Sequence, residues 1–167
     1  DKETKEKIES LIPNFCDEKF ILLTKENQSV LIPFYKHIEK KKNEITLIGY
    51  KSVGKTSITI RYQNDEFRNH IDSTIGVVFV STNEFDIWDA SGDEKYQDLF
   101  PIYVRDSKAI IYVFDLSNLD SFHKMIDMKN KLNYKIKDAM FILAGNKCDL
   151  KREVNKELPE NFAYENQ

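Results

Sequence analysis

Gly49-Tyr50-Lys51-Ser52-Val53-Gly54-Lys55-Thr56 fits the pattern G-x-x-x-x-G-K-[ST], and its reading decides the fold. The glycines let backbone N–H groups turn inward and approach phosphate oxygens closely. Lys55 brings positive charge to the outer phosphates, and the Thr56 hydroxyl can ligate Mg²⁺. The flanking sequence suits this reading. Glu44-Ile45-Thr46-Leu47-Ile48 reads as a strand, and the segment from Thr56 to Tyr62 as a helix whose positive N-terminal end faces the anion. The candidate cradle therefore runs through Ser52, Val53, Gly54, Lys55, Thr56 and Ser57.

With 167 residues, the length suits one domain with a real core. Apolar residues make up 41% and charged residues 32%, a balance that belongs to globular rather than disordered chains. The net charge of −3 gives no reason to expect nucleic acid, whose binders concentrate positive charge. No apolar run approaches the roughly 20 residues of a membrane span. The charged stretch Asp1-Lys2-Glu3-Thr4-Lys5-Glu6-Lys7 leads into no apolar region, so no signal peptide is visible. Cys16 and Cys148 are too few and too far apart for a disulfide framework, which suits a reducing, cytosolic setting. Neither lies at the C-terminus, so the sequence carries no prenylation signal.

Residues 1–43 differ from the rest. Ile8, Leu11, Ile12 and Phe15 fall at helical spacing, with Pro13 ending that helix early. The short apolar runs Phe20-Ile21-Leu22-Leu23 and Val30-Leu31-Ile32 flank a polar loop and suggest a hairpin. Lys40-Lys41-Lys42 reads as a solvated linker, with a membrane or partner role as the alternative. From Glu44 onward, strands alternate with helical segments, the signature of an α/β sheet. Val77 to Val80 and Glu84 to Trp88 form an expected hairpin. Ala109 to Phe114 and Met140 to Ala144 are near-continuous apolar runs, as in strands covered on both faces. Ser121 is the expected cap of a helix reaching Leu132 with Phe122, Met125, Ile126 and Lys129 inward, and a last helix is expected over Glu157 to Asn166.

Three further clusters follow the phosphate loop, at the ends of expected strands where ligands of open α/β sheets gather. In Asp89-Ala90-Ser91-Gly92, the carboxylate can hold Mg²⁺ directly or through water, and Gly92 can present a backbone N–H to a terminal phosphate; a plain strand-ending turn is the alternative. In Asn146-Lys147-Cys148-Asp149, a carboxylate at Asp149 can accept two hydrogen bonds from guanine's ring N–H and exocyclic amine. Asn146 can tie that pocket to the phosphate loop, and the Lys147 stem can lie along the base plane. In Ser73-Thr74-Ile75-Gly76, Thr74 is either a second Mg²⁺ ligand on a loop over the nucleotide or a strand-initiating threonine.

Together these stretches resemble the Ras superfamily of small GTPases, and most of all its Rab branch. The residues that carry the resemblance are Gly49 to Thr56, Asp72 to Val77, Trp88 to Tyr96, Ile111 to Asn118 and Gly145 to Leu150, and it extends over about Asn43 to Gln167. The implied fold is α/β: a three-layer P-loop GTPase sandwich, mostly parallel with one antiparallel hairpin, behind an N-terminal extension over 1–43. The implied function is a GTP/GDP switch of vesicle traffic, with Mg²⁺ on Thr56, Thr74 and Asp89. The family's base-flanking aromatic falls on Phe67. Ile75, Phe79, Trp88 and Tyr96 fall on effector and regulator surfaces, although core aromatics are the alternative for Phe79 and Trp88. The resemblance also implies a cytoplasmic protein, peripheral on the cytosolic face of endomembranes through a C-terminal lipid anchor that this sequence does not contain.

Four departures bear on mechanism. Asp93 stands where efficient members carry Gln, and an ionised carboxylate accepts hydrogen bonds but cannot donate one to a phosphate. Slow hydrolysis is expected, with Asp93, Lys55 and Gly92 as the residues bearing on catalysis. Lys51 replaces a small residue and can either obstruct the attacking water or favour phosphate binding. The distance from Thr74 to Asp89 is short for the family, and the sequence ends before the family's S-A-K strand and final helix. A partial sequence is expected on that ground, the alternative being that the extension replaces the missing packing. The leading expectation is a Rab-like switch with weak turnover; the other is a pseudo-GTPase that binds nucleotide as an interaction module.

Overall fold

The computed structural model describes residues 19–25, 28–34, 42–132 and 139–166. They fall into two compact units that part between Lys41 and Lys42. In the first, β1 (Lys19–Lys25) pairs antiparallel with β2 (Gln28–Phe34), from Lys19 opposite Phe34 to Lys25 opposite Gln28. This is the hairpin expected from the two apolar runs. The expected helix around Ile8 to Phe15 lies outside the described residues, as do Lys40 and Lys41. Lys42 is half-buried, and its ammonium donates to Thr82 O (2.7 Å) and Ser81 Oγ (3.1 Å).

In the second unit, β3 (Asn43–Ile48) precedes α1 (Lys55–Asn64), β4 (Val77–Ser81) and β5 (Phe85–Ala90). A 3₁₀ turn (Glu94–Leu99) runs into the short α2 (Phe100–Val104), followed by β6 (Ala109–Asp115), α3 (Leu119–Leu132), β7 (Met140–Asn146) and α4 (Glu157–Glu165). The sheet order is β4-β5-β3-β6-β7, with β4 and β5 antiparallel and the other pairs parallel. This is the expected α/β class.

Strand alternation sorts the core into two layers. On one face, Leu47, Ile87 and Val113 pack with Val53 of the phosphate loop, and Ile58 of α1 closes over them. The opposite face presents Ile48, Ile110, Tyr112 and Phe114, all buried. There Phe114 meets Phe122 of α3 edge-on at 5.0 Å, and Trp88 stacks on Tyr103 of α2 at 6.2 Å. Thr46 also points to this side, and its buried hydroxyl is satisfied by Tyr103 O (2.9 Å) and Ser107 Oγ (2.7 Å). Helices on both faces complete three layers. Among the described residues no helix is long and apolar enough to cross a membrane.

Three expectations need correction. The apolar run of β7 is not covered on both faces: Met140 and Ile142 are exposed, while Phe141 on the other face packs against Phe162 of α4 at 6.1 Å. β7 is the sheet's edge, and α1 covers the first face only near β3 and β5, so the uniform run conceals an asymmetric environment. Nor is Ser121 the helix cap. α3 begins at Leu119, and Asn118 Oδ1 accepts the Ser121 N–H at 3.3 Å in the capping position. Ser121 Oγ instead accepts the Asp115 N–H (2.9 Å) and donates to Asn118 O (2.7 Å), fixing the end of β6 to the start of the helix. On the inner face of α3, Phe122, Met125 and Lys129 are buried as expected, but Ile126 is only half-buried and Met128 takes its place.

Candidate functional site

Parallel strands β5, β3, β6 and β7 all deliver their C-terminal ends to one edge of the sheet, and the four clusters meet there. The phosphate loop links β3 to α1. Gly54 has φ +96°, where a side chain would be strained, and a Cβ there would strike Asn146 Nδ2. That same amide donates to Val53 O at 2.9 Å, so the end of β7 is tied to the loop. The first α1 hydrogen bond runs from Ile58 N to Gly54 O (3.0 Å), which leaves the N–H groups of Lys55, Thr56 and Ser57 without helical acceptors. Backbone donors and the helix dipole thus point at one spot, as anion sites require.

Lys55 is only 6% exposed and donates to Gly49 O (2.8 Å) and Tyr50 O (2.9 Å). Burial pulls its pKa down to about 8, partly opposed by Asp89. Asp89 lies inside β5 rather than after it, 1% exposed, and burial pushes its carboxyl up against the opposing pull of Thr56 and Lys55. Thr56 Oγ1 donates to Asp89 Oδ2 at 2.6 Å and lies 2.9 Å from Thr74 Oγ1. The other carboxylate oxygen, Oδ1, is buried without a hydrogen-bond partner among the described residues. Three oxygen donors and one orphaned carboxylate oxygen beside a phosphate cradle fit a hard divalent cation, which takes few protein ligands and leaves room for phosphate oxygens. No group of three or more His, Cys, Asp or Glu among the described residues offers a self-sufficient metal site.

Gly92 packs directly on the phosphate loop: a Cβ there would sit 2.6 Å from Tyr50 O and closer still to Tyr50 C and Lys51 N. Asp93 caps the 3₁₀ turn from the rim of the same cleft. Its Oδ1 accepts the Lys95 N–H (3.2 Å), and its Oδ2 faces the Lys95 ammonium at 3.4 Å. The Lys95 N–H, more than any other group, holds the Asp93 carboxyl below the usual range.

Ser52, Lys55, Thr74, Gly92, Asp93 and Lys147 line one cleft of about 380 Å³, the scale of a small-molecule site. A larger hollow of about 700 Å³ between the 94–101 segment and α3 lacks this convergence of donors. Phe67 and Ile75 border the cleft with most of their surface exposed. Asp149 is exposed on the turn after β7 and does not line the cleft, in contrast to Lys147. Phe79 meets Trp88 edge-on at 5.0 Å, and both are half-buried. Tyr96, expected at a partner-facing surface, is buried beneath the Lys95 ammonium. Asp115 was assigned no role from sequence, yet its carboxylate holds Lys147 Nζ at 2.6 Å. The available signal was an acid ending one apolar strand beside another strand that ends in Asn-Lys.

Comparison with protein-family models gives a match to the Ras family over residues 44–167.

Proposed function

The chain belongs to the Ras family of small GTPase switches, and on that premise we propose that it is a slow, Rab-like GTP/GDP switch of vesicle traffic. The observation that carries the reading is the meeting of Thr56, Thr74 and the half-satisfied Asp89 at the N-terminus of α1, beside Lys55. Thr56, Thr74 and Asp89 are the residues that would hold Mg²⁺, Asp89 directly or through water. When bound, Mg²⁺ would neutralise charge on the nucleotide's outer phosphates.

Thr74 belongs to a loop that meets the fixed cradle through its hydroxyl, the kind of link that presence or loss of a γ-phosphate can make and break. Gly92 rests on the loop where its N–H can answer the same phosphate. Asn146, Lys147 and Asp149 form the base subsite, and Phe67 flanks it. The Rab assignment is supported by the stretches Asp72 to Val77 and Trp88 to Tyr96, by the half-buried aromatic pair Phe79 and Trp88, and by exposed Ile75. Effectors and regulators would read these residues, on a cytoplasmic protein peripheral to endomembranes.

Asp93 favours a second reading, the pseudo-GTPase. It lines the cleft engaged as a cap with Lys95, and an ionised carboxylate there cannot donate to a phosphate. Single-turnover GTP hydrolysis with Mg²⁺ separates the two. The natural protein should turn over slowly, and Asp93→Gln should be faster by at least about tenfold, because a positioned amide can both donate and accept. Turnover that is undetectable in the natural protein and restored by the substitution assigns the chain to the pseudo-GTPase class.

A further inference from the structure

We propose that Asp115 is a positioning residue for the base subsite, holding the Lys147 side chain in place through an ion pair buried at the acid. The proposal deepens the guanine-nucleotide reading above and rests on it.

Asp115 is the last residue of β6 and stands in register with Asn146, the last residue of β7. Leu116 N donates to Asn146 O at 2.9 Å, so the two strand ends are fastened one residue before Lys147. Lys147 then takes φ +61°, a left-handed conformation that lysine adopts only under constraint. The turn therefore fixes the root of this side chain. A lysine has four further rotatable bonds, however, and much rotamer freedom to lose. Something must hold its far end.

Asp115 does so with both of its oxygens committed. Oδ1 accepts the Ser117 N–H (2.9 Å) and Ser117 Oγ (2.6 Å), which locks the carboxylate's orientation. Oδ2 is left facing Lys147 Nζ at 2.6 Å. The acid side chain is 9% exposed and the lysine 32%, so the pair is shielded from solvent at the acid. Its hydrogen bonds from Lys147 and Ser117 keep the Asp115 carboxyl below the ordinary range although burial acts in the opposite direction. With the ammonium tied down at Asp115, the part of Lys147 left to line the cleft is its methylene stem. An apolar stem of fixed height is suited to the face of a purine. A free ammonium would instead reach toward the phosphates.

The simpler possibility is that Asp115 only caps the turn at Ser117. A double-mutant cycle on the full chain distinguishes them, with dissociation of fluorescently labelled GDP as the readout and circular dichroism to verify folding. Asp115→Asn and Lys147→Met should each speed dissociation about tenfold, the scale of a charge-assisted hydrogen bond lost from one end of the pair. The double variant should be no faster than either single one, because both remove the same constraint. A loss from Asp115→Asn that persists undiminished in the Lys147→Met background would assign Asp115 to the turn alone and overturn the proposal. An unchanged rate for Lys147→Met by itself overturns it as well, even if Asp115→Asn does not fold. Natural protein that holds GDP no better than ADP removes the guanine reading and this proposal together; a clear preference for GDP with a silent Asp115→Asn removes this proposal only.

Discussion

Asp149→Asn is expected to weaken GTP and GDP binding by about a thousandfold and to admit xanthosine nucleotides, because it removes one of two paired acceptors and puts a donor in its place. Guanine offers a ring N–H and an exocyclic amine side by side, and an ionised carboxylate accepts from both. An asparagine amide accepts from one and points its own N–H₂ at the other, so two donors meet. Xanthine carries a carbonyl where guanine has the amine, and that carbonyl accepts from the amide. The substitution thus exchanges one match for another.

The geometry makes this test clean. Asp149 is exposed on a turn closed by Leu150 N to Lys147 O at 3.1 Å, away from the buried core. Thermal stability of the ligand-free chain should therefore stay unchanged while specificity moves. Competition of GTP, xanthosine triphosphate and ATP against a fluorescent nucleotide measures it. GTP affinity equal to that of the natural protein would take Asp149 out of the base subsite.

What could be read from the sequence was whatever one segment determines. The near-continuous apolar run of Ala109 to Phe114 and the glycine spacing of Gly49 to Thr56 act within a few residues, and the structure has a strand and a strand-to-helix loop there. The segment 94–104 was missed because its pattern is broken. A 3₁₀ turn passes into a helix with Pro101 in its first turn, so buried Tyr96, Phe100, Tyr103 and Val104 keep no single period. Register and layer coverage were out of reach for a different reason. Asp115 meets Lys147 only because β6 and β7 run parallel and end together, and Met140 is bare only because β7 is an edge. The orientation of Asp93 belongs to this second group. Its type marked it as an acceptor that cannot donate to a phosphate, but the capping bond to Lys95 depends on how the 3₁₀ turn folds. Among the candidate site residues, sequence named those the structure brings together around Thr56, but it left out Asp115 and the role of Lys95.

Gly92→Ala should be strongly damaging for a single-methyl change. Overpacking typically costs about 1–3 kcal/mol when neighbouring side chains can shift. Here the added carbon would meet only backbone, at Tyr50 O (2.6 Å) and, nearer, Tyr50 C and Lys51 N, none of which has a rotamer to change. Relief requires parting the segment after β5 from the phosphate loop. The loop is held in turn by the Asn146 bond to Val53 O and by Lys55 on Gly49 O and Tyr50 O. The cost should therefore fall near the upper end, lowering the melting temperature by roughly 10 °C for a domain of this size. The functional loss should be selective. On the proposed reading GDP would make its contacts through the cradle and the base subsite and should still bind, whereas the γ-phosphate would no longer be reached by the displaced N–H of residue 92 and would lose the pull that joins the 3₁₀ turn to the loop. Tryptophan fluorescence reports on this, since Trp88 lies in β5 and stacks on Tyr103 just beyond the turn. In the natural protein, exchange of GDP for a non-hydrolysable GTP analogue should change the emission, and in Gly92→Ala it should not. A full nucleotide-dependent change in the variant, or a melting temperature equal to the natural protein's, would mean that the loop and the turn part at no cost and that Gly92 is not their contact.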